Sequence, residues 1–369
     1  MFEKDLKITT LGLKIPFTGL QKQYNNLRTE ILDATDAVLR SGQLMNGNNT
    51  AEFENWLAKR NNVKYAVTCH SGTQALEIIA EYYALQYDKE PLTALLPTLT
   101  YQATANAFLR AGWNIEFADV DINGLAAYNK ISQHRTYQAT VLVGLYGAKV
   151  NLHPDVFKFN SGILLEDAAQ HWLAEQSPGI GNAAAISFDP MKNLANYGNG
   201  GAVVTPDFGL AEFARSWRDN GKPGNYIVGT NSRMSEIDCA QMLVKTKYID
   251  QWQLRRAKIA DYWCERLKGH DKIRCLINEK TRKGHCFHKF VIEIDSADIV
   301  QRNLGIRKID TKVHYRQPLH ELPIYQQFTG PDMMSVASML GRRVLSLPLY
   351  PELTDMEVEY IIDQLIDCV

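Results

Sequence analysis

The chain lacks any excess of charge. Its 41 acidic side chains nearly cancel its 40 Lys and Arg, leaving −1 over 369 residues. That balance excludes a global field drawing in nucleic acid or an acidic membrane. No run of about 18 apolar residues occurs, so no membrane-spanning helix is expected. The six cysteines are scattered without a CxxC pair, which disfavours a disulfide framework and fits a reducing cytoplasm. His285, Cys286 and His288 are too few for a zinc site and have no partner cluster at ligand spacing, so no metal is expected. No P-loop is present, and the glycines at 198, 200 and 201 stand in the wrong place for a dinucleotide fingerprint. No Tyr-xxx-Lys pair accompanies them. A nicotinamide-dependent sugar epimerase or dehydratase therefore lacks its marks. The opening MFEKDLKITT carries acids and no long apolar core, so no secretory leader is expected.

What the chain does have is alternation. Leu27, Ile31, Ala34 and Val38 recur at helical spacing, predicting a helix over residues 24–40 that Ser41 and Gly42 stop. Short apolar runs follow at 63–68, 93–97, 114–120, 140–146, 162–166, 183–188 and 201–205, with helical segments after the first two. They are apolar throughout rather than alternating. That suits strands covered on both faces, in a mostly parallel sheet of an α/β fold. Residues 236–267 read as one long helix, 289–295 and 311–315 as strands of a smaller α+β unit, and 354–366 as a closing helix capped by Thr354 or Asp355. The implied organisation is an N-terminal arm (1–25), a large domain (26–245) and a small C-terminal domain (246–369).

The chemistry gathers where strands end, the edge at which open α/β sheets bind ligands. GILLE delivers Asp167. AAAISF delivers Ser187 and, five residues later, Lys192. A lysine able to form a Schiff base, with a carboxylate to hold a ring nitrogen protonated, is what pyridoxal phosphate requires of a protein. Asp167 also reads as a helix N-cap, and both roles can hold. Gln170 lies one helical turn on, able to face the same ligand. SGT at 71–73 precedes a helix, so the amides of Gly72 and Thr73 point at an anion or simply begin a helix. Tyr101 is either a stacking platform or a core tyrosine. Asn231 reads as a turn residue. Arg233 reads as a surface arginine or as one reaching a carboxylate or phosphate. The glycines behind Lys192 read as room for a tight turn.

CHSGTQALE (69–77), PTLTYQATANA (97–107), LYGA (145–148), EDAAQH (166–171), SFDPMKNLANYGNGGAVVT (187–205) and NSRMSEIDCAQ (231–241) follow one another in that order. Together they resemble the DegT/DnrJ/StrS nucleotide-sugar aminotransferases, from SGQLMNG near residue 41 to LSLPLYPELTDMEVE near the C-terminus. The resemblance implies a fold-type I (aspartate-aminotransferase-like) pyridoxal 5'-phosphate enzyme, with pyridoxamine phosphate between two half-reactions. L-glutamate would be the donor, and a keto group at C3 or C4 of a nucleotide-linked deoxy-sugar the acceptor. It assigns Lys192 and Asp167 to catalysis, and Gly72, Thr73 and Ser187 to the phosphate. Gln170 goes to the ring's phenolic oxygen and Tyr101 to the ring face. It places Asn231 on a loop serving the neighbouring subunit, hence a homodimer with active sites at the interface. His314, Tyr315 and His320 match a segment near the substrate entrance. Relatives with histidine for the lysine are dehydratase-like, and this chain keeps lysine. Asp189, Asn196 and Tyr197 depart from the commoner SFYPTKNLGALGDGG, which weakens inference about the sugar. A cofactor-bound sensor is the non-catalytic alternative.

Overall fold

The computed structural model describes residues 14–87, 92–127, 136–150, 160–328 and 333–369; the first thirteen residues of the expected arm lie outside them. Seven strands form the main sheet: β1 (Tyr65–Cys69), β2 (Thr93–Pro97), β3 (Asn114–Ala118), β4 (Tyr137–Val143), β5 (Asn160–Asp167), β6 (Ala183–Ser187) and β7 (Gly201–Thr205). Their order is β1-β7-β6-β5-β4-β2-β3. β7 is antiparallel to both neighbours, and the other pairs are parallel. Cys69, Pro97, Val143, Asp167 and Ser187 therefore all end strands at one edge of the sheet.

The continuous apolar runs have a direct cause. Val67, Val141, Leu165, Ala185 and Val203 face α3 (Gly72–Ala84), α4 (Gln102–Arg110) and α5 (Phe208–Trp217). Ala66, Ala184, Ile186, Ala202 and Val204 face α1 (Leu20–Ser41), α2 (Asn48–Arg60) and α6 (Glu236–Thr246). Both faces of the sheet are dry, so alternation has nothing to signal. The α1 helix begins four residues earlier than its periodicity suggests, inside the expected arm. It ends as expected, with Gly42 left-handed at φ 69° and its N–H on the Leu39 carbonyl.

Two expectations fail. Residues 236–267 form two helices, α6 and α7 (Ile249–Arg266). Between them Lys247 turns to Glu30 of α1 at 3.2 Å, and the Tyr248 hydroxyl donates to the same carboxylate. Residues 311–315 form no regular strand. Only Lys312 exchanges backbone bonds with Ser346, at 3.2 and 2.7 Å, and the His314 carbonyl is taken by the Tyr146 hydroxyl. The second sheet is instead β8 (Arg274–Cys275), β9 (Phe290–Glu293) and β10 (Val344–Leu347), in the order β10-β9-β8. Its core includes α7, α8 (Ala297–Ile306) and α10 (Asp355–Cys368), together with Ile15, whose N–H bonds Lys308 at 2.8 Å. The helix α9 (Ser335–Arg343) precedes β10. Thr354 caps α10 in a reciprocal box with Glu357. Among the described residues no helix is long and apolar enough to cross a membrane.

Candidate active site

A cavity of about 310 Å³ opens at the strand-end edge of the main sheet. Nine of the residues that the resemblance assigns to the site line it: Gly72, Thr73, Tyr101, Asp167, Gln170, Ser187, Lys192, His314 and Tyr315.

One end of the cavity is built for an anion. Ser71 caps α3, its hydroxyl accepting from the Gln74 N–H at 3.2 Å. The first amides of a helix have no intrahelical acceptor, and they carry the positive end of its dipole. A Cβ on Gly72 would stand 2.7 Å from the Ser187 Cβ and 3.2 Å from its hydroxyl oxygen, so glycine is what lets that hydroxyl sit beside the helix start. Gly201 serves the same closeness. A Cβ there would lie 2.3 Å from the Ser71 carbonyl carbon. Of the glycines after Lys192, Gly201 thus admits a close backbone approach, whereas a Cβ on Gly198 would meet nothing nearer than the Asn196 side chain at 3.9 Å.

The other end carries the ionisable groups. Asp167 is the last residue of β5, and its neighbour Glu166 points to the opposite face, as strand geometry demands. The Thr104 hydroxyl donates to Asp167 Oδ2 at 2.6 Å, and the Ala169 N–H to Oδ1 at 3.2 Å. Nothing in the sequence reading singled out Thr104. Its one signal is the TYQAT run, which puts a hydroxyl one turn into the helix that follows the β2 loop. Lys192 lies on the loop after β6. Burial pulls its amine below the usual lysine range, against the raising influence of Asp167 and Asp189. An amine so placed gives up its proton more easily than one in water.

Gln170 is fixed at both ends. Its Oε1 accepts the Tyr146 N–H at 2.8 Å, and its Nε2 donates to the Tyr315 hydroxyl at 3.1 Å. The apolar run at 140–146 predicts a strand through Tyr146. The strand stops at Val143 instead, and Tyr146 adopts φ 63° in a turn, held by its bonds to Gln170 and His314. His314 bonds Ser346 Oγ through Nδ1 at 2.9 Å. Burial, with Lys289, Lys312 and Lys192 nearby, lowers its pKa to about 3, so the ring is neutral. Tyr101 is 57% exposed, which settles it as a wall residue rather than core, and its ring lies 6.0 Å from that of Tyr315.

Three residues lie apart from this cavity. Asn231 is exposed and accepts from Arg233 at 3.2 Å, while Arg233 also pairs with Asp219 at 3.1 Å. His320 is held between Thr98 Oγ1 at 2.7 Å and Ser338 Oγ at 3.1 Å.

Comparison with known proteins agrees with this fold. A crystal structure of S. venezuelae DesV in complex with a ketimine intermediate superposes with a TM-score of 0.89 at 29% identity, covering 96% of this chain and 98% of that one. The dTDP-3-amino-3,4,6-trideoxy-alpha-D-glucose transaminase of Streptomyces venezuelae is 31% identical, over 95% of each chain. The erythromycin biosynthesis sensory transduction protein EryC1 of Saccharopolyspora erythraea is 32% identical, over 95% of this chain and 98% of its own. Residues 25–366 match the DegT/DnrJ/EryC1/StrS aminotransferase family as a whole, and the chain belongs to that family.

Proposed function

We propose that this protein moves an amino group from L-glutamate to a keto carbon of a nucleotide-linked deoxy-sugar, with pyridoxal 5'-phosphate as cofactor. One observation carries the reading: an amine depressed by burial, Lys192, shares a cavity with Asp167 and with a helix start suited to an anion. The cavity fits the cofactor's chemistry, with N–H groups and a hydroxyl for a phosphate, a carboxylate for a pyridine nitrogen and an amine for an aldehyde. Gly72, Thr73 and Ser187 would hold the phosphate, Asp167 the ring nitrogen, Gln170 the phenolic oxygen and Tyr101 a ring face. When bound, the cofactor supplies an electron sink for the charge that forms at the donor's α-carbon.

The protein's own groups do the rest. Lys192 Nζ takes the proton from the donor's α-carbon and returns a proton in the second half-reaction. Asp167, oriented by Thr104 and Ala169, keeps a proton at the ring nitrogen. Neutral His314 and the Tyr315 hydroxyl offer polar contacts to the acceptor sugar. The 3-amino product named for the Streptomyces relative supports C3 as the aminated carbon. Two chains are proposed to pair, so that Asn231 and Arg233 serve the partner's cavity and His320 stays near the entrance. Tyr226 and Val228, each 92% exposed on the same segment, support a surface covered by a partner. Six free cysteines support a cytoplasmic setting.

The sensory name of one relative favours a second reading, a cofactor-bound regulator without turnover. Glutamate added to the holoprotein separates the two. The enzyme's visible band bleaches, and the sensor's persists. Nucleotide-linked 3-keto and 4-keto sugars, offered with glutamate and followed by mass spectrometry, then identify the carbon whose oxygen is exchanged for an amine.

A further inference from the structure

Lys245 stands out among the buried groups that the reaction does not use. It lies near the end of α6 and is 0% exposed. No carboxylate lies within ion-pair distance among the described residues, and Glu352 is its charged neighbour. Burying an ammonium without an ionic partner is costly, and an apolar side chain of the same length would avoid that cost. What the ammonium does touch is one short segment. It donates to the Ala195 carbonyl at 2.6 Å and lies 3.5 Å from the centroid of the Tyr197 ring. Such a cation held against a ring face is attracted by the ring's quadrupole.

That segment is the far side of the reactive loop. Lys192, Asn199 and Gly200 line the cavity. Ala195 to Tyr197 face away from it, toward α6. Asp238, in the first turn of α6, accepts from the Asn196 side chain at 2.8 Å. Residues 238 and 245 are seven apart, two turns along one helix face. One helix therefore grips the loop at two points. From the other side, Tyr24 of α1 meets the Tyr197 ring edge-on at 6.0 Å, and Gln23 donates to Glu352 at 3.2 Å. Burial pushes the Lys245 ammonium down to about 7, with Glu352 opposing, so the charge is fully present only below that value.

We infer that Lys245 is a positioning residue for Lys192: its ammonium, bonded to Ala195 and seated on Tyr197, anchors the loop that carries the reactive amine. This rests on Lys192 being the cofactor-bearing lysine. It adds that the placement of Lys192 depends on a charge outside the cavity.

The test is Lys245→Met, which keeps length and removes charge. Hydrogen exchange of the amides of residues 192–200, measured on the apoprotein, accelerates about tenfold while the global melting temperature holds or rises. In the holoenzyme kcat falls about tenfold and the KM for glutamate stays within about twofold, as expected when only the placement of the reacting group suffers. Tyr197→Leu reproduces both effects, the double variant is no worse than either single one, and Tyr197→Phe restores the wild-type values. Unchanged exchange in both Lys245→Met and Tyr197→Leu overturns the inference, as does strict additivity. If Lys245→Met does not fold, Tyr197→Leu carries the exchange test alone. Because exchange is read without turnover, faster exchange in a protein with no transaminase activity would count against the functional reading and leave the anchor standing.

Discussion

A lysine amine taken out of water is a reluctant cation, and that reluctance is the useful property of Lys192. It also has a cost in stability, whose sign follows from the direction of the shift. The folded protein holds this proton less tightly than the unfolded chain, whose value is 10.5. Folding is therefore penalised while the amine is charged in both states, and the penalty lifts as pH rises toward the unfolded value. The expected result is that Lys192→Met apoprotein melts above wild type at neutral pH, with the difference shrinking toward pH 10.5. Thermal melts across that range check it. Thr104 is the second residue-scale case. Without its hydroxyl, Asp167 keeps only the Ala169 N–H in its place. Thr104→Val should lower kcat/KM by about tenfold, or about 1.4 kcal/mol of transition-state stabilisation, with little change in melting temperature. Steady-state kinetics decide it. At this scale much was legible. Asp167, Ser187 and Lys192 each end or follow an apolar run, and strand ends are where ligands bind. Thr104 was not legible, because a threonine inside a helix looks the same whether its hydroxyl bonds its own turn or a carboxylate on another strand.

At the scale of elements, the end of β5 shows how one strand serves structure and chemistry at once. Asp167 faces the cavity. Glu166, 1% exposed, accepts the N–H groups of Gly179, Ile180 and Gly181 at 2.9, 2.8 and 2.9 Å. Its other oxygen faces His171 Nε2 at 3.2 Å, while His171 Nδ1 accepts the Gly144 N–H at 3.0 Å. Burial alone would raise the Glu166 pKa, but His171 and the backbone donors bring it below 4.5. A lowered carboxylate stabilises the fold above its unfolded pKa and stops doing so as pH falls through the folded value. Glu166→Gln should cost about 3 kcal/mol near neutral pH, and the deficit should narrow below pH 4.5. Denaturant titrations at two pH values test both statements. The elements misread from sequence share a cause. The break after α6 and the loss of a strand at 311–315 depend on Glu30 and Tyr146, partners far away in the chain, and local periodicity carries no trace of them.

At the scale of the whole molecule, the main sheet is sealed on both faces with its chemistry at one edge, a layout the unbroken apolar runs make legible. What they could not supply was the pairing of Ile15 with the C-terminal core, since a lone isoleucine in a polar arm has no periodicity. The proposed dimer belongs to this scale. If Asn231 serves the partner's cavity, Lys192→Ala and Asn231→Asp damage different halves of a composite site. Two inactive variants, mixed in equal amounts and allowed to exchange subunits, should recover about a quarter of wild-type activity, since half the dimers are hybrids with one intact site each. No recovery, with hybrids shown by native mass spectrometry, would place Asn231 in its own chain's service.

The proposed chemistry depends on which nitrogen meets the cofactor. Holoprotein reduced with borohydride, digested and sequenced by mass spectrometry, should carry a pyridoxyl phosphate group on the peptide containing Lys192 and on no other, with the visible band lost in step. A tag on a different lysine, or reduction that leaves every peptide unmodified, would contradict it.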